Sequence, residues 1–284
     1  HLSLRRQRQM CIRDSIKVES RKAYFTASDL EIQVCSSLDC ESDEDCEFSL
    51  PARKLLEVLS ALSNHESVTF SVSDNKVDIT AGKSKISLPN LSTIDFPYMD
   101  IEELGETIDI ESDDMVKIIN KTSFAMAYQD ARHFLNGLHL CSEDGNIVSV
   151  CTDGHRLAKY KSQAAAADSL SIIIPRKAIL EINRIINSFS GNKQNIMKYS
   201  YNKKMFNIQI NDYMIMSKLI EGNYPNFNKV IPDSTTAEII VNKITLKNSL
   251  NIISKVVNQQ YKGVKLTPNT VSYTHLRAHE TSLH

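Results

Sequence analysis

The heptapeptide Pro51-Ala52-Arg53-Lys54-Leu55-Leu56-Glu57 returns 124 residues later as Pro175-Arg176-Lys177-Ala178-Ile179-Leu180-Glu181. Both copies place proline where a helix should begin, because its fixed φ suits the first helical position and its missing N–H is no loss there. Apolar residues at helical spacing follow: Leu55, Leu59 and Leu62 with Val58 beside them, then Ile179, Ile182, Ile186 and Phe189. At the same offset Ser28-Asp29 matches Thr152-Asp153, each after a strand-like run. Ile118-Ile119-Asn120-Lys121 returns 134 residues on as Ile252-Ile253-Ser254-Lys255, and Gly137-Leu138-His139-Leu140 returns 126 residues on as Gly263-Val264-Lys265-Leu266. Matches in one order with similar offsets describe a domain of about 125 residues, repeated.

Working outward, a second helix type is expected after Ser112, a good N-cap. Asp113 and Asp114 would face the helix dipole, and Met115, Ile118 and Ile119 would turn inward. Its counterpart should follow Thr245 and bury Leu246, Leu250, Ile253 and Val257. Val68, Phe70 and Val72 alternate and turn through Ser73-Asp74-Asn75-Lys76 into Val77 and Ile79. Leu138 and Leu140 turn through Glu143-Asp144-Gly145-Asn146 into Ile147 to Val150, and Phe206, Ile208 and Ile210 turn through Asn211-Asp212 into Tyr213 to Met216. Helices over antiparallel, hairpin-rich sheets make an α+β class, not a parallel βαβ class. The domain limits read as 16–105, lacking its first strand and helix, 106–233, complete, and 234–269, the start of a third copy; Leu88 to Glu106 is the linker.

The two ends look foreign. Residues 1–15 and 270–284 show neither strand alternation nor a helical stripe, resemble translated read-through, and are set aside. The start has no apolar core of a signal peptide. Removing the five basic and two acidic residues of these ends from 33 and 34 leaves 28 basic and 32 acidic. A DNA binder of the usual kind is basic overall, so this chain could hold DNA only through a local basic surface. Six cysteines include no CxxC pair, and Cys35, Cys40 and Cys46 have no histidine nearby, so no metal and no cofactor is expected and the thiols are read as reduced. No apolar run reaches the length of a membrane span.

Three segments then resemble a known family. Tyr128-Gln129-Asp130-Ala131-Arg132-His133-Phe134-Leu135-Asn136-Gly137, Cys151-Thr152-Asp153-Gly154-His155-Arg156-Leu157-Ala158 and Ser217-Lys218-Leu219-Ile220-Glu221-Gly222-Asn223-Tyr224-Pro225-Asn226-Phe227 are similar, in order and spacing, to the second domain of bacterial sliding clamps, the beta subunits of DNA polymerase III. The resemblance covers about residues 16 to 269. It implies the DNA clamp fold: three similar domains per chain, and two chains joined head to tail in a ring around double-stranded DNA, held without sequence preference. It also implies a cytoplasmic, nucleoid-associated protein that catalyses nothing. The implied partners are the polymerase III alpha subunit, a clamp loader, and other polymerases and repair proteins.

Site residues follow from the resemblance. Gln129, Arg132, His133 and Phe134 match DNA-touching loop positions, with His133 and Phe134 standing where an aromatic pair is more usual. Lys117 with Lys121, Lys177 with Arg184, and Lys247 lie on helices that would line the hole; taken alone they read as ordinary solvated helix faces, and the ring geometry that the resemblance implies turns them toward DNA. Such cations would meet phosphates without reading bases, which permits sliding. Leu135, Thr152, Gly154, His155, Arg156, Leu157, Pro225, Lys229 and Val230 match an apolar groove for partner peptides, and Lys229 stands where arginine is common. Without the resemblance, Thr152-Asp153-Gly154 is merely a β-turn. Lys83, Lys85 and Ile86, with Lys255 and Val256, match the ring interface, whose third-domain side the sequence carries only in part. Two other classes compete: a repeat scaffold unrelated to DNA, and a metal-dependent hydrolase using Asp153, His155, His133 and His139. Against the latter, His139 between Leu138 and Leu140 should point outward, and no HxH or HExxH companion is present.

Overall fold

The computed structural model describes residues 13–94, 96–99, 104–167, 169–189, 196–232, 234, 238–256, 264–267 and 275–278. Tight turns decide how the strands pair. β1 (Arg13–Glu19) and β2 (Lys22–Ser28) are joined by Ser20 and Arg21, at φ 52° and 62°, with Glu19 facing Lys22. Two-residue hairpins of this kind match the right-handed twist of their strands. β3 (Ile32–Asp39) continues the sheet, and β4 (Cys46–Pro51) returns to the far side of β1, giving the order β4-β1-β2-β3. α1 (Ala52–Ala61) follows directly. Pro51 is extended, so it caps the helix and is not its first helical residue. Leu55 and Leu62 are buried with Phe48, Leu50, Val77 and Ile79. β5 (Thr69–Val72), β6 (Lys76–Ala81) and β7 (Ser84–Pro89) form a three-stranded meander.

The second copy repeats this order. β8 (Ile108–Glu111) and α2 (Ser112–Thr122) lead into β9 (Gly137–Glu143), β10 (Asn146–Thr152), β11 (Leu157–Ala165) and β12 (Ser171–Pro175). Their order, β11-β10-β9-β12, is the counterpart of β3-β2-β1-β4. α3 (Arg176–Ser188) leaves Pro175 as α1 leaves Pro51, and β13 (Ile196–Tyr201), β14 (Met205–Ile210) and β15 (Tyr213–Lys218) repeat the meander, with β8 added beside β13. Ile118 and Ile119 of α2, Ile179 and Ile182 of α3, Leu138 and Leu140, and Phe206 and Ile215 share one core. The extended Glu111 caps α2 in place of the expected Ser112, which is already helical; Asp113 and Asp114 lie in the first turn as read.

β3 and β15 join the copies. They run antiparallel from Ile32↔Ser217 to Ser36↔Tyr213 and make one eight-stranded sheet, β4-β1-β2-β3-β15-β14-β13-β8. Among the described residues no strand or helix intervenes between Pro89 and Ile108. That connection is nonetheless packed: Phe96 and Met99 are buried, the Met99 amide donates to Gln33 Oε1 at 2.9 Å, and Met99 sits with Met205 and Met216.

Several expectations need correction. Arg13, Asp14 and Ser15 belong to β1, where Ser15 is fully buried and its strand is paired on both sides, so the first set-aside segment runs too far. His275–Ala278, set aside with the tail, pairs antiparallel with Val264–Thr267. Alternation over three or four residues is too short to show in a sequence. His139 lies on the face opposite Leu138 and Leu140, as alternation requires, yet it is buried there beside Val150 and Ile173, because that face of the sheet is covered too. The chain divides into two compact units after Pro225. In the second, α4 (Lys243–Ile253) is capped by Asn242, whose Oδ1 accepts from the amides of Ile244 and Thr245 at 3.0 and 3.1 Å, so the helix begins ahead of Thr245. None of its residues is buried: Leu246 and Ile253 are half-buried, Leu250 is exposed, and Val257 lies outside the described residues. Cys35, Cys40, Cys46, Cys141 and Cys151 are free thiols, and Cys11 lies outside the described residues. No described helix is long and apolar enough to cross a membrane.

Candidate functional site

The repeated Asp makes the same turn twice. After β2, Asp29 Oδ1 accepts from the amides of Glu31 and Ile32 at 3.0 and 2.9 Å. After β10, Asp153 Oδ1 accepts from those of His155 and Arg156 at 2.9 and 3.0 Å. The following residue is left-handed in both, Leu30 at φ 73° and Gly154 at φ 88°. Aspartate favours such turns because its short side chain accepts from amides two and three residues on, mimicking a backbone turn. In the second turn Arg156 Nε adds a 2.9 Å contact to Asp153 Oδ2, and Thr152 Oγ1 donates to Arg156 O at 2.7 Å. Burial raises the Asp153 pKa, but the two amides and the guanidinium outweigh it and hold it below the usual range.

The loop from Tyr128 to Asn136 docks on this turn. Asp130 and Asn136 clamp it reciprocally: Asp130 N donates to Asn136 Oδ1 at 3.0 Å, and Asn136 Nδ2 donates to Asp130 O at 2.9 Å. Arg132 then gives Asp130 its amide, Nε and Nη2 at 2.8 to 2.9 Å, which holds that carboxyl well below its ordinary value. Arg132 Nη2 also reaches Asp153 O at 3.4 Å, and a Cβ on Gly154 would lie 3.0 Å from the same nitrogen. Loop and turn are thus one piece. Two exposed rings lie beneath guanidinium groups: Phe124 under Arg156 at 6.0 Å and Tyr128 under Arg176 at 5.8 Å. Cation–π attraction of this kind holds an arginine in place while leaving its N–H groups free to bond.

Residues 14–100 match the N-terminal domain of the DNA polymerase III beta subunit, and residues 109–226 match its central domain. The chain belongs to the DNA polymerase III beta subunit family. It is 29% identical over 252 residues to the beta sliding clamp of Pseudomonas aeruginosa, covering 88% of this chain and 68% of that protein. It is 27% identical over 253 residues to that of Vibrio cholerae, with the same coverage. Its fold superposes on the crystal structure of the Pseudomonas aeruginosa polymerase III subunit beta with a TM-score of 0.85, at 27% identity over 95% of this chain and 74% of that one. A second structure from that organism, a sliding clamp bound to griselimycin, gives a TM-score of 0.84 at 26% identity. Beta subunits are sliding clamps, non-catalytic processivity factors of the polymerase.

Within this chain the expected site residues fall as follows. Gln129 (φ 55°), Arg132 and His133 are exposed on one loop, with Phe134 half-buried. Leu135 is buried, so it supports that loop from below. Thr152, Gly154, His155, Arg156 and Leu157 are contiguous on the docked turn, and Leu157 is half-buried at the start of β11. Pro225 is exposed. Lys229, Val230, Lys247, Lys255 and Val256 belong to the second unit, where all are exposed. Lys117 and Lys121 are exposed one turn apart on α2; Lys117 lies 3.7 Å from Asp114. On α3, Arg184 is paired with Glu181 and Lys177 with Asp29. Lys85 pairs with Asp78 at 3.0 Å on the meander, Lys83 is exposed in its turn, and Ile86 is half-buried.

His133 and His155 are exposed while His139 is buried, and no metal-binding group of three ligands forms among the described residues. His139 stacks on Tyr224 at 4.5 Å with Nε2 3.3 Å from Ser171 Oγ, and burial lowers its pKa to about 4. Reading the sequence missed Phe124, Tyr128, Asp130 and Asp29 as parts of these assemblies. The signal for Asp29 was present, since it occupies the repeat position of Asp153.

Proposed function

We propose that the protein closes, with a second copy, into a ring that encircles duplex DNA and holds replication proteins on it. One observation carries this. β3 pairs with β15 where the two copies meet, and the repeat equivalents of those strands are β11 and β7. Among the described residues both β11 and β7 are edge strands of their sheets. An unpaired edge is a template for another strand. The pairing used once inside the chain can therefore recur at either end, head to tail, which is the condition for a closed ring of repeated domains. Lys83, Lys85 and Ile86 would lie at the β7 junction, facing a third domain that includes Lys255 and Val256.

On this reading Gln129, Arg132, His133 and Phe134, with Lys117, Lys121, Arg184 and Lys247, face the phosphates. They contribute charge without base contacts. The docked turn with Leu157 and Pro225 receives partner peptides, those of the polymerase III alpha subunit and the clamp loader among them. A first domain that reaches back to Arg13, a second over 106–233, a third from 234 onward, and a nucleoid-associated cytoplasmic location belong to the same proposal. The test is retention on DNA. Loaded on a nicked circle, the protein should stay; once the circle is cut, it should slide off. Equal retention on circular and linear DNA would refute the ring.

A further inference from the structure

Lys177 occupies an unfavourable place. It is the second residue of α3, whose first turn holds Arg176 and no acidic residue. The helix dipole puts positive charge there, and a cation needs an anion brought from elsewhere. A phosphate could supply one, but the fold already does: Lys177 Nζ forms an ion pair with Asp29 Oδ2.

The two Asp turns show why Asp29 is available. In the second turn Asp153 spends Oδ2 on Arg156, three residues on. In the first turn that position is Ile32, buried at the start of β3. Asp29 therefore has its Oδ1 fixed by two amides and no arginine of its own turn for Oδ2. Its side chain is 20% exposed, so it points at the junction more than at solvent. The turn leads straight into that junction: Lys218 N donates to Glu31 O at 2.9 Å, and Ile32 pairs with Ser217. The residue that holds the cation and the strand that joins the copies are three positions apart.

We infer that Lys177 is a positioning residue for the junction of the two copies, not a phosphate contact: with Asp29 it locks α3 of one copy to the β2–β3 turn of the other. The consequence for DNA rests on the clamp reading, because the angle at this junction sets the curvature of the ring; the ion pair itself does not.

The experiment is a double-mutant cycle on the full-length protein with Lys177→Met, Asp29→Asn and both together. Asparagine keeps the oxygen that accepts the turn amides, so the turn survives. Hydrogen exchange is read at the Lys218 amide and its neighbours in β3 and β15. Each single change should quicken exchange about two- to fivefold, the range of a partly exposed ion pair, and the double should quicken it no further than either alone. Multiplying effects, or none, overturn the inference. A second arm measures DNA affinity against salt: Lys177→Met should leave the slope unchanged, while Lys121→Met lowers it by about one phosphate contact. A lowered slope for Lys177→Met also overturns it. The exchange arm needs no DNA, so it stands even if retention on circular DNA fails.

Discussion

Mild acid should loosen the second copy through one side chain. His139 lies on β9, 7% exposed, stacked on Tyr224 and bonded to Ser171. Burial lowers its pKa from 6.5 to about 4. The folded protein resists a proton that the unfolded chain accepts, so the stabilisation is whole above about pH 6.5 and is lost as pH falls toward 4. One pKa unit corresponds to about 1.4 kcal/mol, so the loss is about 2 kcal/mol by pH 5 and about 3 kcal/mol by pH 4. The carboxylates held low by partners, Asp130 and Asp153 among them, titrate below this window and do not blur it. The assay is urea unfolding followed by tyrosine fluorescence, since the chain has no tryptophan. Wild type is compared with His139→Phe at pH 7, 6 and 5. Phenylalanine preserves the stack and removes the titration. Wild type should lose about 2 kcal/mol between pH 7 and 5, and the variant a small fraction of that. Equal losses would show that the reasoning is wrong.

Three further outcomes are expected. Replacing Ser20-Arg21 by Asn-Gly should stabilise the protein by about 1 kcal/mol in thermal unfolding, because both positions have positive φ and neither native residue favours it, whereas the β9–β10 hairpin already uses Asp144-Gly145. Gly154→Ala should cost about 1–2 kcal/mol through its left-handed backbone and push Arg132 off Asp153, weakening a Gln-x-x-Leu-Phe peptide in a binding titration. His155→Ala with Leu157→Ala should weaken the same peptide with little change in melting temperature, since His155 is exposed and Leu157 half-buried; unchanged affinity would move the groove elsewhere.

Periodicity carried most of the fold. The stripes of α2 and α3, the three hairpins and the copy-to-copy order appear where the residue pattern places them, because helices and strands bury one face and repeat every 3.6 or 2 residues. The caps were harder to place. Asn242, Thr245 and Ser112 are all competent cap residues, and the choice depends on which backbone amides are left unpaired. The loop of the candidate site was legible only by resemblance, since Gln129 to Leu135 has no periodicity of its own.

By itself the sequence determined the repeat, the α+β class, the positions of the hairpins and the Asp that opens each turn, all of which rest on local backbone preference and local burial. Tertiary structure alone decided the rest. It buried His139, because Tyr224 stacks over it on the face of the strand opposite Leu138 and Leu140. It placed Asp29 on Lys177 and Arg132 over Gly154. Those pairs are 148 and 22 residues apart, and no local pattern encodes a partner that arrives only when sheets close over helices.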